Sequence, residues 1–335
     1  HAGAKAEGQR GIIEGYGVTE EAMGAPIRAS MDTEVIAHSK SGLEIHLDKF
    51  ANAADFLIPV GRIKAHTDFR GEVESGICKM LVIGMGKQHG AYQCHKLGFK
   101  SMAANVKEFA GAIIEKKPNM FAIGLIENAY HQTCRIEAIP AGRILEEEPP
   151  LLEYAKSRMA KVPFDQADIL FVDETGKDIS GAGMDPNVTG RSAQNGISRP
   201  FAERIVARDL TDEAHHNATG MGNADVTTRR LFDKIDMEQT YPNSLTSRDI
   251  NGFRIPIVME NDNLAIRFAL HTITGANAES GYRAMWIRDT NHVQTFYVTE
   301  RLLADTAAMP WLRTDGVALR PVFGADGYFT GWERA

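Results

Sequence analysis

Short apolar runs alternate with longer, helix-like segments through both halves of the chain. The short runs predict strands at 55–61, 119–127, 135–139, 165–173, 204–210, 253–259 and 282–288. The longer segments predict helices at 74–85, 87–96, 101–116, 225–240 and 260–271. Short runs bounded by turn signals are typical of buried strands. Strands that alternate with helices predict an α/β fold with mixed or parallel sheets.

A different pattern near the start predicts a β-hairpin. Strand-forming residues occupy 34–38 and 43–47, and a polar turn ending in Gly42 separates them. His38 and His46 fall at strand positions with alternating neighbours. We expect both histidines to face solvent.

The best candidate for a domain boundary is an acidic segment with two adjacent prolines, Pro149 and Pro150. It predicts an N-terminal α/β domain over 1–145, a linker and helix over 146–165, and a C-terminal α/β domain over 166–335. A chain of 335 residues is long enough for two domains of ordinary size. We expect the active site in the cleft between them.

Composition narrows the class of protein. The chain is 43% hydrophobic and 24% charged, so it can bury a core, and its net charge of −7 argues against nucleic-acid or anionic-membrane partners. No run of 18 apolar residues predicts a membrane span. Three cysteines without a CxxC pair fit a reducing compartment, so we expect a cytoplasmic protein.

Candidate chemistry is concentrated between Ile58 and Gly98. His66 follows the predicted strand 55–61, Lys79 lies in an apolar helix, and His95 follows on the next helix. Imidazole serves as a metal ligand or as a base near neutral pH. A buried lysine is costly unless it is paired or used chemically. The spacing of the histidines matches no short ligand motif, so a catalytic or metal site and a pair of surface histidines both remain open.

Known phosphate and hydrolase motifs are incomplete or absent. The segment from Gly84 to Lys87 resembles part of a phosphate loop, with Gly86 and Lys87 as candidate cofactor-binding residues, but it lacks the GxxxxGK[ST] spacing. A helix-to-helix turn explains it equally well. No GxGxxG or GxSxG sequence is present.

One arginine in the second half is a candidate for holding a substrate carboxylate. Arg288 lies at the end of the predicted strand 282–288, where a guanidinium can form a bidentate pair. A surface ion pair with Asp289 is the alternative reading.

Three separated segments, in this order, carry a family resemblance. They are HAGAKAEGQ, RIKAHTDFRGEVESGICKMLVIGMGKQHGA and VDETGKDISGAGMDPNVTGR. Together they resemble the nickel-dependent lactate racemase family, and more closely its broader branch of 2-hydroxyacid racemases and epimerases. The resemblance covers most of residues 1–200 and becomes loose beyond that.

The resemblance implies a role for each matched residue. Lys79 is similar to the lysine that forms a thioamide link to a nickel-pincer nucleotide, and His95 to the protein ligand of nickel. His66 and His1 resemble the two catalytic bases. Lys177 resembles the lysine near the substrate in the second domain.

The implied reaction is racemisation or epimerisation at C2 of a small 2-hydroxy acid. In that family the cofactor, a pyridinium-3,5-dithiocarboxylic acid mononucleotide that binds nickel, is thought to accept the C2 hydrogen as hydride. The paired histidines then take and return the hydroxyl proton. Enzymes that make the cofactor are implied partners.

The resemblance also implies a segment before His1, with a first strand and substrate-binding polar residues, so the N-terminal domain is expected to lack its first strand. Two other functions remain open. One is a nickel-independent isomerase or dehydratase that uses lysine and histidine. The other is a non-catalytic protein that binds a nucleotide or a metal.

Overall fold

The computed structural model describes residues 5–305 and 309–335, and the chain divides into two compact units, residues 1–159 and 160–335. Each unit combines helices and strands, so the fold is α/β with parallel and mixed sheets. The division falls after Met159. The helix at Ile144–Arg158, which overlaps the linker and helix predicted over 146–165, belongs to the first unit.

The first unit has a hairpin and a small mixed sheet. Its strands are β1 (Thr33–His38), β2 (Glu44–Asp48), β3 (Val60–Arg62), β4 (Phe121–Glu127) and β5 (Thr133–Pro140). Its helices are α1 (Ala6–Gly15), α2 (Glu20–Met23), α3 (Lys49–Ala53), α4 (Ile77–Lys79), α5 (Lys87–His95), α6 (Met102–Lys116) and α7 (Ile144–Arg158). Strands β1 and β2 pair antiparallel, whereas β3 and β4 pair parallel and β4 and β5 antiparallel.

The second unit is built on a larger sheet. Its strands are β6 (Gln166–Thr175), β7 (Arg191–Ser192), β8 (Gly196–Ile197), β9 (Phe201–Leu210), β10 (Val226–Thr228), β11 (Ile257–Met259), β12 (Ala284–Ile287), β13 (Tyr297–Val298), β14 (Leu319–Phe323) and β15 (Phe329–Arg334). Its helices are α8 (Pro186–Thr189), α9 (Arg229–Asp233), α10 (Met237–Ser247), α11 (Asp262–His271) and α12 (Glu300–Leu303).

Strand β6 lies between β9 and β12 in this sheet, and both of its faces are covered. Ile169 and Phe171 pack into one apolar cluster, whereas Leu170 and Val172 pack into another. Successive strand residues point to opposite faces, so a strand covered on both sides needs a continuous apolar run. The sequence from Ile169 to Val172 provides one.

The order of the strands reverses beside β6. The sheet runs β11-β10-β9-β6-β12-β13, and all neighbours are parallel except β12 and β13. From β6 the chain passes to β9 and onward to β11, and it then returns to the other side of β6 as β12. The carboxyl ends of β6 and β12 therefore flank a topological switch point.

Several predicted elements differ in the structure. The strand predicted at 55–61 is reduced to β3 and an isolated bridge at Leu57, and the helix predicted at 74–85 is α4 followed by a π-helix, Met80–Gly84. Helix α7 continues through Pro149 and Pro150. Each proline removes one helical hydrogen bond, but buried leucines of α7 anchor the helix in the core.

Two smaller predictions also differ. His38 is exposed as expected, but His46 is buried, since α5 packs beside β2 and its His89 ring stacks on His46 at 5.5 Å. Residues 226–228, predicted as part of a helical region, form strand β10 between β9 and β11. Three residues are too few to produce a readable period in the sequence. No helix among the described residues is long and apolar enough to cross a membrane.

Gly220 gives a direct test of the loops beside the large sheet. Its φ is +91°, and an added Cβ would lie 1.8 Å from the carbonyl oxygen of Ala182. We expect Gly220→Ala to lower the free energy of unfolding by about 2–5 kcal/mol, because left-handed backbone and a backbone clash both add cost. The measurement is urea unfolding followed by tryptophan fluorescence, which reports this unit because all three tryptophans (286, 311 and 332) lie in it.

Gly181→Ala is the matched control. An added Cβ there meets no heavy atom within 4 Å, and the backbone is not left-handed. We expect a change within about 0.5 kcal/mol. Equal effects of the two substitutions would contradict this reading of the loop.

Candidate active site

A closed loop after β3 carries the first candidate histidine, His66. The backbones of Lys64 and Ser75 pair in both directions, with N···O distances of 2.8 and 3.2 Å, and so join the two ends of the loop. Within the loop, the carboxylate of Glu74 is fully buried and accepts the backbone N–H of His66 at 2.7 Å. Glu74 also pairs with Lys156 at 3.0 Å. The backbone at His66 is thus held from inside the protein.

The ring of His66 has a defined environment. Its Nδ1 accepts the backbone N–H of Asp68 at 2.9 Å, and the ring stacks on Phe69 at 4.2 Å between centroids. Because Nδ1 accepts a hydrogen bond, a neutral ring carries its proton on Nε2.

The pKa of His66 lies well below its ordinary value. Burial is the largest cause, and the charges of Lys79 and His95 follow, with those of Arg70 and Lys64 after them. Burial and nearby positive charge both disfavour the imidazolium. The ring therefore stays neutral near neutral pH.

Lys79 lies where α4 passes into the π-helix, a type of turn that is frequent at functional sites. The pKa of Lys79 is lowered to about 8. Burial is the main cause and the charge of Lys64 adds to it, whereas the charge of Asp68 opposes it. A larger fraction of the neutral, nucleophilic amine is therefore present near pH 7 than in an ordinary lysine.

His95 is the last residue of α5. Its Nδ1 donates to the carbonyl oxygen of Ala91 at 2.7 Å, and its ring meets the edge of Phe99. A carbonyl only accepts, so Nδ1 carries a proton, and the neutral ring has its lone pair on Nε2. A metal-ligating histidine is commonly oriented in this way.

Lys79 and His95 lie near enough to His66 for their charges to lower its pKa. Three of the residues singled out in the sequence thus come together in the first unit. Among the residues that the structure describes, no three His, Cys, Asp or Glu side chains form a group that could hold a metal ion.

Gly86 and Lys87 have contacts that account for them structurally. A Cβ on Gly86 would lie 2.0 Å from the carbonyl oxygen of Val82. Lys87 donates to Gln9 at 2.8 Å and lies 3.7 Å from Asp48. These contacts link the π-helix, α5 and the hairpin.

The remaining predicted site residues are His1, Lys177 and Arg288. His1 lies outside the described residues. Lys177, in the second unit, donates to Asn243, and burial lowers its pKa. Arg288 is in the same unit, and its Nε lies 3.4 Å from Glu174 and 3.5 Å from Asp289.

The sequence analysis did not single out two groups of polar residues that the structure brings together. Asp68 and Glu74 hold the His66 loop, and the polar run from His66 to Glu74 between apolar segments was the available signal. The second is a hydrogen-bonded pair, Asp289 and His292, after β12. Their spacing of three residues was readable, but the burial of Asp289 was not.

The sequence matches no family model and no curated protein. Among solved structures, the chain is similar to the lactate racemase apoprotein from Thermoanaerobacterium thermosaccharolyticum, with 17% identity and a TM-score of 0.38. The match covers 58% of this chain and 48% of that one, so it spans about half the length of that protein.

Proposed function

We propose that this chain is an isomerase that racemises or epimerises a small 2-hydroxy acid at C2, with a nickel-pincer nucleotide as its cofactor. The observation that carries the proposal is the convergence of His66, Lys79 and His95 in one unit. The pKa of His66 is well below its ordinary value, and that of Lys79 is lowered to about 8, so each is more readily neutral than an ordinary side chain of its type. The sequence resemblance over residues 1–200 supplies those roles.

Lys79 and His95 fit the proposed cofactor. The amine of Lys79, with a pKa of about 8, suits formation of a covalent link to the nucleotide. The neutral ring of His95 has its lone pair on Nε2, as a nickel ligand requires, and imidazole suits nickel. When bound, the cofactor supplies a hydride acceptor for the C2 hydrogen.

His66 is proposed to exchange the hydroxyl proton of the substrate. Its lowered pKa keeps the ring neutral, as a base must be. The hydrogen bond from Asp68 leaves the proton on Nε2, so acceptance at Nε2 requires the other tautomer. The exchange costs about one hydrogen bond, roughly 0.5–1.5 kcal/mol. This cost slows the reaction by about tenfold at most. General-base catalysis typically raises the rate by about 10²–10⁴-fold, so the exchange is a smaller effect.

The charges near His66 favour an anionic substrate. Lys64 and Arg70, which keep their charge when Lys79 is linked to the cofactor, both influence the pKa of His66 as positive groups. Positive charge in a partly desolvated site attracts a carboxylate and stabilises an oxyanion that develops during the reaction.

A nickel-independent lysine-and-histidine isomerase or dehydratase is a second candidate. It is favoured by the lowered pKa of Lys79, because a neutral amine also forms Schiff bases with carbonyl substrates. Borohydride would trap such an adduct on Lys79 in the presence of a 2-keto acid.

The test is a screen of enantiopure 2-hydroxy acids by chiral chromatography, with the chain co-expressed with the cofactor-making enzymes. The expected result is conversion of one enantiomer, or C2 epimer, into a mixture of both. Release of a dehydrated product would favour the second candidate instead. A nickel-loaded chain that leaves every acid unchanged would refute the proposed reaction.

A further inference from the structure

One strand of the first unit has a free edge. Strand β5 is the last strand of the sheet β3-β4-β5, and in the described part of the chain no strand pairs with its other side. Its residues from Thr133 to Ile136 are exposed, with 64% of the surface of Ile136 accessible. A free edge presents unpaired backbone groups, to which a strand from another chain can be added.

The hydrogen bonds of β4 show which groups of β5 face this edge. The N–H of Ile123 and the carbonyl of Leu125 are both hydrogen-bonded on the β3 side, each at 2.8 Å. The residues of β5 opposite them are Ala138 and Ile136. Backbone groups alternate in direction along a strand, so those of Ile136 and Ala138 point away from β4 and toward the free edge.

The edge that can pair is short. A register shift with β4 skips Cys134 at one end, and Pro140 at the other end has no N–H to donate. Bulges and prolines limit the pairing of an edge strand. The regular stretch between them runs from Arg135 to Ile139, so an added strand has to match it in direction and in charge.

The charges on this stretch are complementary to the same stretch running in the opposite direction. Arg135 and Glu137 lie on one face of β5, with Nη2 of Arg135 2.6 Å from the Glu137 carboxylate. When a second copy runs antiparallel with the two Ile136 residues opposite each other, each Arg135 faces Glu137 of the other copy. Opposite charges directly across an antiparallel pair stabilise it. The exposed Ile136 side chains meet at the centre.

The neighbouring registers lack this match. A slide of one residue sets outward-pointing backbone groups opposite inward-pointing ones, which breaks the ladder. A slide of two residues puts Arg135 opposite Arg135 in one direction and Glu137 opposite Glu137 in the other. Like charges directly opposite each other destabilise a strand pair. Backbone direction and charge therefore select one arrangement, and it has the two-fold symmetry that is commonest among homodimers.

We propose that two copies of this chain associate through their β5 strands, antiparallel about a two-fold axis at Ile136, with Arg135 of each copy against Glu137 of the other. The backbone N–H and C=O of Ile136 in one copy bond those of Ile136 in the second. The two three-stranded sheets then join edge to edge into one. The association requires neither nickel nor substrate, so it stands apart from the proposed reaction.

Sedimentation velocity of the full chain between about 1 and 200 μM measures this association. We expect a dimer whose population rises with concentration. Arg135→Glu places like charges at both crossings, so its dissociation constant should rise by about tenfold or more. Adding Glu137→Arg to the same chain restores opposite charges, and the dissociation constant should return to within about threefold of the wild type.

Arg320→Glu is the control, because its exposed pair with Glu333 lies on the hairpin of β14 and β15. It should leave the dissociation constant unchanged. A wild-type chain that is still monomeric at about 200 μM would overturn the proposal. A dimer that Arg135→Glu leaves as tight as before would overturn it as well.

Disulfide trapping tests the register. In a Cys134→Ser background the remaining cysteines, Cys78 and Cys94, are buried. Ile136→Cys places two thiols opposite each other, with Cα atoms about 5.5 Å apart, a distance that a disulfide spans. Ala138→Cys in the same background leaves its two thiols roughly 14 Å apart. We expect oxidation to give a covalent dimer of the first variant only. Equal cross-linking of both variants, or none of either, would contradict the arrangement.

Discussion

Replacement of His66 by alanine is expected to lower turnover of the 2-hydroxy acid by about 10²–10⁴-fold, the usual contribution of a general base. The nickel content of the purified chain should stay at the wild-type level, because His66 is not the proposed ligand. The loop itself should survive, since its closure rests on the Lys64–Ser75 backbone pair and on the buried Glu74 carboxylate. The measurement is kcat together with metal analysis of the same preparation.

His95→Ala is the matched variant, with the opposite expectation. Nickel should be lost, and activity with it, because Nε2 of His95 is the proposed protein ligand. The pair of variants separates proton transfer from metal binding. If both variants keep nickel and turnover, the site assignment is wrong.

The second large effect is expected at Arg208, in the core of the second unit. Its guanidinium pairs with Asp173 and, at 2.8 Å, with the fully buried Asp262. It also lies over the rings of Trp286 and Phe329, at 5.1 and 4.6 Å from their centroids. Burial alone would lower the pKa of Arg208, but the two carboxylates outweigh it and raise that pKa above its ordinary value.

Arg208→Met should destabilise the second unit by about 3–5 kcal/mol. It leaves the part-buried Asp173 without its cation and the fully buried Asp262 with only Arg230, at 3.4 Å. Urea unfolding followed by tryptophan fluorescence measures the loss. Arg320→Met is the control, since its pair with Glu333 is exposed and contributes roughly 0–1 kcal/mol. A loss at Arg208 no larger than at Arg320 would show that the network contributes little.

The parts of the fold that could be predicted are those with a strong local signal. Strand β6 is covered on both faces, so it needs a continuous apolar run. The run from Ile169 to Val172 was therefore enough to predict the strand. Strand β10 and the continuation of α7 through Pro149 and Pro150 could not be predicted, since sheet neighbours and core contacts decide them. Tertiary packing overrides local preference at such positions.

The candidate site was only partly visible in the sequence. Composition left His66, Lys79 and His95 undecided, and only the resemblance gave them separate roles. The proton positions on His66 and His95 depend on their hydrogen bonds with the backbone of Asp68 and of Ala91. The lowered pKa of Lys79 depends mainly on its burial. Such contacts follow from the folded backbone, so no motif in the sequence reports them.

The most direct test of the central claim is metal and mass analysis of the chain after co-expression with the cofactor-making enzymes. We expect about one nickel ion per chain and a mass increase on the peptide that contains Lys79. Both should disappear in Lys79→Arg, which keeps the positive charge but lacks the nucleophilic amine. Racemisation at full rate by a chain with neither nickel nor a modified Lys79 would contradict the account.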